Sequence, residues 1–295
     1  MKNYLFLILI GAFFLSSCRK DHSKTNDPSG QKFTVNFTAG DLGKMATNSS
    51  KLQTNSVADT FKKYVKTYWY LVYNNSGQLV HWIKQDSTTT NLGNISDSFN
   101  PGTYTVIFIG NATVSISQGL SGDYFFKDSF TSGSSLPDFF YQKLNITVTN
   151  ADINQQVSLN RITSQVQIQA TDVVPANVDS IKVTLSPAYG SFFVSTLLPP
   201  FGNGSQTISH KFKPAEKGSA NYKISTFFYN VTIPFTVTVE RFPKSFYLSP
   251  IVINNVTCQS NKITLLTGKL FTGSVVAGGF HISFDPAWNS QTTNL

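Results

Sequence analysis

Residues 138–172 read DFFYQKLNITVTNADINQQVSLNRITSQVQIQATD. Apolar and polar residues alternate in short bursts, at Ile146 to Thr149, Gln156 to Leu159 and Ser164 to Thr171. A period of two puts successive side chains on opposite faces, which is the signature of a half-buried strand. The bursts follow one another too closely for helices to intervene. This stretch decides the fold class: an antiparallel, strand-rich chain.

The same vocabulary extends in both directions. Towards the C-terminus, strands are expected at 178–186, 191–198, 206–212, 222–229, 235–241, 262–271 and 279–285. Towards the N-terminus, KFTVNFTAG (32–40) places Phe33, Val35 and Phe37 on one face. YVKTYWYLVY (64–73), the turn NNSG (74–77) and QLVHWIKQ (78–85) form a hairpin with its turn chemistry in place. NPGTYTVIFIGN (100–111) is a Pro-Gly turn feeding another strand. Residues 42–60 are polar and read as a long loop, and the Ser/Gly-rich segment 112–137 gives no clear pattern. No segment shows a 3.6-residue apolar period over three turns. Many short strands with regular turn signals imply an all-β chain of sandwiches. The change in strand density places a boundary near residue 142, giving domains 32–142 and 143–295.

Composition agrees. Charged residues make up 13% of the 295, against a usual value of about 25%. Phe (25) and Tyr (12) supply most of the 14% aromatics. The net charge is +8, but the lysines are scattered, and FKKYVK is the longest basic cluster. With no recognition helix or RNA-binding aromatic motif, nucleic acid is not an expected partner.

The first seventeen residues have a different character. Lys2 precedes an apolar run, Tyr4 to Leu15, then Ser16, Ser17 and Cys18. This is the layout of an export signal, and the run is shorter than the roughly 20 apolar residues of a permanent span. LSSC resembles the bacterial lipobox, which implies cleavage after residue 17 and acylation of Cys18. Two or three acyl chains hold a protein to a bilayer where one would not. Residues 18–31 then form a polar tether. The chain has 2 Cys. With Cys18 acylated, Cys258 has no partner and reads as a small buried or turn residue.

Catalytic and metal patterns are absent. His22, His81, His210 and His281 lie far apart, with no H-x-H or H-x-x-x-H pair. Asp97, Asp123, Asp152 and Asp172 read as turn residues. Only Glu216 and Glu240 are glutamates, and nothing singles out a glycosidase pair. There is no nucleophile elbow, P-loop or calcium loop. No catalytic residue, metal ligand or cofactor is expected.

The opening stretch, with its D-x-F-Y-like entry, the Q-x-V-x-L-x-R strand ending at Arg161 and the S-x-V-x-I strand that follows, resembles the fimbrillin superfamily of Bacteroidetes, and especially its FimB-like anchor lipoproteins. YWYLVYNNSGQLV, FNPGTYTVIFIGN, LLTGKLFTG and GFHISFDPAW are similar to other strands of that family. The resemblance implies two tandem transthyretin-like (Greek-key) β-sandwich domains in an outer-membrane, surface-exposed lipoprotein that partners fimbrial subunits. Polymerising members lose their first strand to an arginine-directed protease and accept a neighbour's strand in its place. Here the arginines are Arg19, Arg161 and Arg241, and none lies between the first strand and Tyr64. That departure favours an anchor or accessory subunit over a stalk subunit, although Lys44, Lys51, Lys62 and Lys63 leave a lysine-directed cut open. Arg161 is expected either to pair with an acid or carbonyls at the domain junction or to touch a partner subunit. The competing expectation is a glycan-binding surface lipoprotein using Trp69, Trp82 or Trp288 as stacking platforms.

Overall fold

The computed structural model describes residues 30–42, 57–112, 116–118, 124–127, 136–189, 191–198, 204–229, 233–243, 249–272 and 279–285. The first set of strands is β1 (Phe33–Asp41), β2 (Thr67–Tyr73), β3 (Leu79–Asp86), β4 (Asn94–Phe99), β5 (Gly102–Gly110), β6 (Ile116–Gln118), β7 (Tyr124–Lys127), β8 (Phe140–Val148), β9 (Ile153–Ser158) and β10 (Asn160–Arg161). A helix, α1 (Val57–Tyr64), precedes β2. The second set is β11 (Ser164–Ala170), β12 (Val178–Ala188), β13 (Ser191–Phe193), β14 (Gly204–Lys211), β15 (Lys223–Phe228), β16 (Phe235–Pro243), β17 (Ile251–Val256), β18 (Ile263–Gly268) and β19 (His281–Asp285). The all-β class holds. Among the described residues no helix is long and apolar enough to cross a membrane.

The pairing shows a repeat. One sheet runs β4-β1-β9 and its partner β10-β8-β5-β2-β3. The second half repeats this as β15-β11-β18-β19 and β14-β12-β16-β17. In each half the first strand pairs antiparallel with one neighbour and parallel with the other: β1 with β4 and β9, β11 with β15 and β18. Seven strands thus recur in the same order, and β19 is an addition at the outer edge of β18. The sheets of each half enclose their own core, around Phe37, Tyr68, Tyr70 and Phe108 in the first and Val183, Val237, Phe228 and Leu266 in the second.

β8, β9 and β10 all pair within the first sandwich. The boundary expected near residue 142 therefore falls inside β8, and the change of partners occurs between Arg161 and Ser164. The rise in strand density at 142 marks the tight β8–β9 turn, not a new unit.

β2 explains its own sequence. All but its first residue are buried. Tyr68, Tyr70 and Val72 face the first core, while Trp69, Leu71 and Tyr73 face a third apolar layer with Phe139, Phe192, Val194 and Tyr229. A strand buried on both faces needs no alternation, which is why TYWYLVY is continuous. The third layer joins the halves: Tyr141 donates its hydroxyl to the Val194 carbonyl at 2.8 Å. Only the first part of the strand expected at 191–198 forms. After Phe193 the chain turns, with Leu197 at φ 60° and its N–H bonded to the Phe193 carbonyl.

The helix begins at the end of the stretch read as a loop, 42–60, and runs to Tyr64, where a strand was expected to start. It presents Phe61 to the core, where its ring meets Tyr68 edge-on at 5.3 Å. Gly93 passes close by at φ +96°, and a Cβ there would lie 3.0 Å from the Phe61 ring and 3.1 Å from Ala39. Positive φ and lack of space both demand glycine.

Candidate functional site

The first strand is held on both sides and from below. Val35 and Phe37 are at most 1% exposed. The Phe37 ring lies 5.4 Å from Tyr70 and 5.2 Å from Phe108. Asp152 accepts the Thr34 N–H at 2.7 Å, and Asn36 donates to Asn154 at 3.0 Å. Removing such a strand would strip the edges of β4 and β9 and expose the rings beneath, so the sandwich is a closed one. Between β1 and β2, Lys44 and Lys51 lie outside the described residues. Lys62 and Lys63 sit in the last turn of α1, and Lys62 donates to the Thr90 carbonyl at 3.2 Å.

Arg161 ends β10 at the point where the chain passes from one sandwich to the other. Its side chain is 1% exposed. Nε donates to both Asp138 oxygens at 2.8 and 3.0 Å, and Nη1 donates to Asn261 in the second half at 3.0 Å. The guanidinium also lies 5.1 Å from the Phe140 ring centre, and Thr163 donates to Asp138 at 2.9 Å. Burial pushes the Asp138 carboxyl above the ordinary carboxylate range, against the pull of Arg161 and Thr163. An arginine so enclosed clamps the junction and offers no surface to a partner.

A second cluster spans the open side of the first sandwich, between the edge strands β3 and β4. His81 Nε2 lies 2.7 Å from Asp97 Oδ2, and Tyr70 donates its hydroxyl to the same oxygen at 2.7 Å. Ser98 donates its N–H to Asp97 Oδ1 at 2.8 Å. The carboxylate only accepts, so Nε2 is the protonated nitrogen of the imidazole. Desolvation, followed by the hydrogen bond to Asp97, raises the Tyr70 phenol far above its usual value. Beside the pair lies an open cleft of about 460 Å³ lined by residues that include Lys32, His81, Asp97, Asn100 and Tyr104. Asp97 was expected in a turn. It lies within β4, facing inward between Ile95 and Phe99, and that period-two position was the available signal. The pairing with His81 needs the tertiary register and could not be read from the sequence.

The second sandwich has a counterpart. His81 and Gln206 are each the third residue of their strand, pairing with Val72 and Leu185. Counting from the first bridged pairs, Phe33 with Phe99 and Ser164 with Phe228, Asp97 opposes Val35 and Thr226 opposes Val166 two places on. There Gln206 donates to Thr226 Oγ1 at 2.7 Å, and both residues are buried. The same seam is bridged by a histidine–carboxylate pair in one sandwich and a glutamine–threonine pair in the other.

The remaining groups are structural in their contacts. His210 Nε2 lies 3.1 Å from both Glu216 oxygens and packs against Phe212 and Tyr222. Glu240 pairs with Lys182 at 2.5 Å. Asp172 accepts the N–H groups of Leu270, Phe271 and Thr272 at 2.7–2.9 Å. Cys258 is buried, burial pushes its thiol up, and Thr264 donates to its sulfur at 3.4 Å. His281 is exposed on β19. No group of three or more His, Cys, Asp or Glu that could hold a metal occurs among the described residues. Of the three tryptophans, Trp69 is buried, with its indole N–H bonded to the Ala112 carbonyl at 3.0 Å. Trp82 stands 52% exposed on β3. Cys18, His22, Asp123 and Trp288 lie outside the described residues.

A family model described as fimbrillin-A associated anchor proteins Mfa1 and Mfa2 matches residues 24–240. Among solved structures, the chain is similar to a candidate polysaccharide-binding protein from Bacteroides thetaiotaomicron: 13% identity, 81% of this chain, 91% of that one, TM-score 0.54. It is similar also to a candidate adhesin from Bacteroides ovatus: 12% identity, 85% of this chain, 94% of that one, TM-score 0.53. The fimbrial anchor protein Mfa2 from Porphyromonas gingivalis matches at 13% identity over 81% of this chain and 91% of its own, with a TM-score of 0.50. No curated protein sequence matches. At these identities the structural likeness concerns the fold.

Proposed function

The chain belongs to the family of fimbrillin-A associated anchor proteins, and from that premise we propose that it is a non-catalytic outer-membrane lipoprotein that anchors or helps assemble fimbriae. Cys18 carries the lipid, residues 18–31 form the tether, and the two sandwiches meet fimbrial subunits through exchange of a β-strand. The observation that carries the anchor role over a stalk role is the lack of an arginine-directed cut site between the first two strands. β1 itself is sealed between β4 and β9. A subunit that keeps its first strand keeps the link from tether to fold. Acyl chains contribute roughly 0.8 kcal/mol per buried CH₂, enough in pairs to hold the assembly at the membrane.

The test is Cys18→Ala in the native host. Fimbrial material should shift from the cell surface into the medium. An unchanged distribution would count against the proposal.

One observation favours a second reading, glycan binding. Of the aromatics expected to serve as platforms, Trp82 is exposed and lies on an edge strand. A surface indole is a usable stacking face for a sugar ring.

A further inference from the structure

We propose that the cleft beside His81 and Asp97 binds an acidic saccharide unit, a sugar ring bearing a carboxylate. The inference is independent of the anchor role and assumes nothing about Cys18.

The cleft, at about 460 Å³, falls within the usual range for small-molecule sites of about 300–1,000 Å³. Its floor is already organised. Asp97 receives Tyr70 and His81 on Oδ2 and the Ser98 N–H on Oδ1, so three of its about four acceptor sites are taken within the protein. The pair fixes the imidazole ring at the cleft wall. The groups left to meet a ligand are of three kinds. Lys32 brings a full positive charge. Ser96, Ser98 and Asn100 bring exposed hydroxyl and amide groups. Tyr104, packed edge-on against Phe99 at 4.8 Å, brings an aromatic wall. A cation, several neutral hydrogen-bonding groups and a ring face together match a polyhydroxylated ring with an anionic substituent. A simple anion would leave the ring wall unused, and an apolar ligand would strand the polar groups.

The second sandwich supplies the control. At the equivalent seam, Gln206 donates to Thr226 and to the Phe227 carbonyl, and it is fully buried. The fold therefore closes this seam with a neutral, dry pair. A His–carboxylate pair beside a cleft is not what the seven-strand topology requires. Among the described residues, this seam carries such a pair in the first sandwich and the Gln206–Thr226 pair in the second.

The experiment uses the whole chain from residue 18 onward, unlipidated, titrated with trigalacturonate and with neutral maltotriose. Calorimetry and amide chemical shifts are the readouts. Trigalacturonate should bind with Kd on the order of 0.1–1 mM, with shifts confined to Lys32, the strand around His81, and Ser96 to Tyr104. Maltotriose should bind at least ~10-fold more weakly. Lys32→Gln should remove that preference without changing the fold. The double variant His81→Gln with Asp97→Thr, which transplants the second-sandwich pair, should weaken trigalacturonate binding several-fold by loosening the wall that places Ser96 and Ser98, while the thermal midpoint stays near that of the parent. If the double variant fails to fold, Lys32→Gln decides, because Lys32 is exposed and precedes β1. No binding at about 10 mM, equal binding of both sugars, or binding indifferent to Lys32→Gln would each overturn the proposal. Any of these results leaves the anchor reading intact.

Discussion

The two sandwiches share seven strands in one topology and differ where they meet the outside. In the second, the seam between β14 and β15 is closed by a buried neutral pair, and the outer edge of β18 is covered by β19. In the first, the seam carries a partly exposed histidine–carboxylate pair beside a cleft, and among the described residues β9 has no strand on its outer edge. One scaffold has been used twice, once with this seam dry and once with it partly open, while both copies keep outer strands at the ends of their sheets. That division suits a subunit that must be rigid on one side and meet ligands or neighbours on the other.

The comparison can be broken most severely at the junction. Arg161→Ala leaves the buried Asp138 uncompensated and unhooks Asn261, so it should cost about 3–5 kcal/mol. Hydrogen exchange should rise in both sandwiches, and a rise in only one would show that Arg161 does not couple them. Phe37→Ala, which empties the space beneath β1, should cost about 3–5 kcal/mol. Protection should fall in the first sandwich only, whereas the matching change in β11, Ile168→Ala, should act on the second. The seams should separate next. Gln206→Ala removes two bonds from a dry site and should cost about 1–3 kcal/mol. His81→Gln, at a partly exposed pair, should cost about 1 kcal/mol or less. Equal costs would erase the distinction between sealed and open seams.

The smallest effect concerns pH. Burial works to raise the Asp172 carboxyl, but the amides of Leu270, Phe271 and Thr272 and the Thr272 hydroxyl outweigh it, leaving the group below its ordinary value. A carboxylate lowered in the fold stabilises above its unfolded pKa of about 3.9 and loses that contribution as pH falls through the folded value. Asp172→Asn should therefore lower stability slightly at neutral pH and flatten the acid limb of the second sandwich's unfolding below about pH 4. An unchanged acid limb would place the loop's stability elsewhere.

What the sequence disclosed depended on whether one face of an element was wet. β1 and β11 alternate cleanly, and the hairpin of β2 and β3 carries its own turn, so these were legible. α1 was not, because its eight residues make only about two turns and bury a single ring, Phe61. β17 was missed in IVINNV, where Ile251, Ile253 and Val256 are buried but polar Asn254 and Asn255 interrupt the pattern. The unit boundary was misplaced because β8 and β9 pair with strands far earlier in the chain. Arg161 was singled out by its motif, but its partners Asp138 and Asn261 come from both halves and only the fold unites them. Asp97 looked like a turn residue because Asp favours turns. Its place between Ile95 and Phe99 was the clue.

The central claim is that this chain stays closed and tethered through its own first strand. Intact mass and N-terminal analysis of the protein purified from its native envelope tests it most directly. The account predicts a full-length chain beginning at an acylated Cys18. A lipid-free chain beginning between Lys44 and Lys63 would contradict it, and would make this a processed subunit whose first sandwich accepts a neighbour's strand.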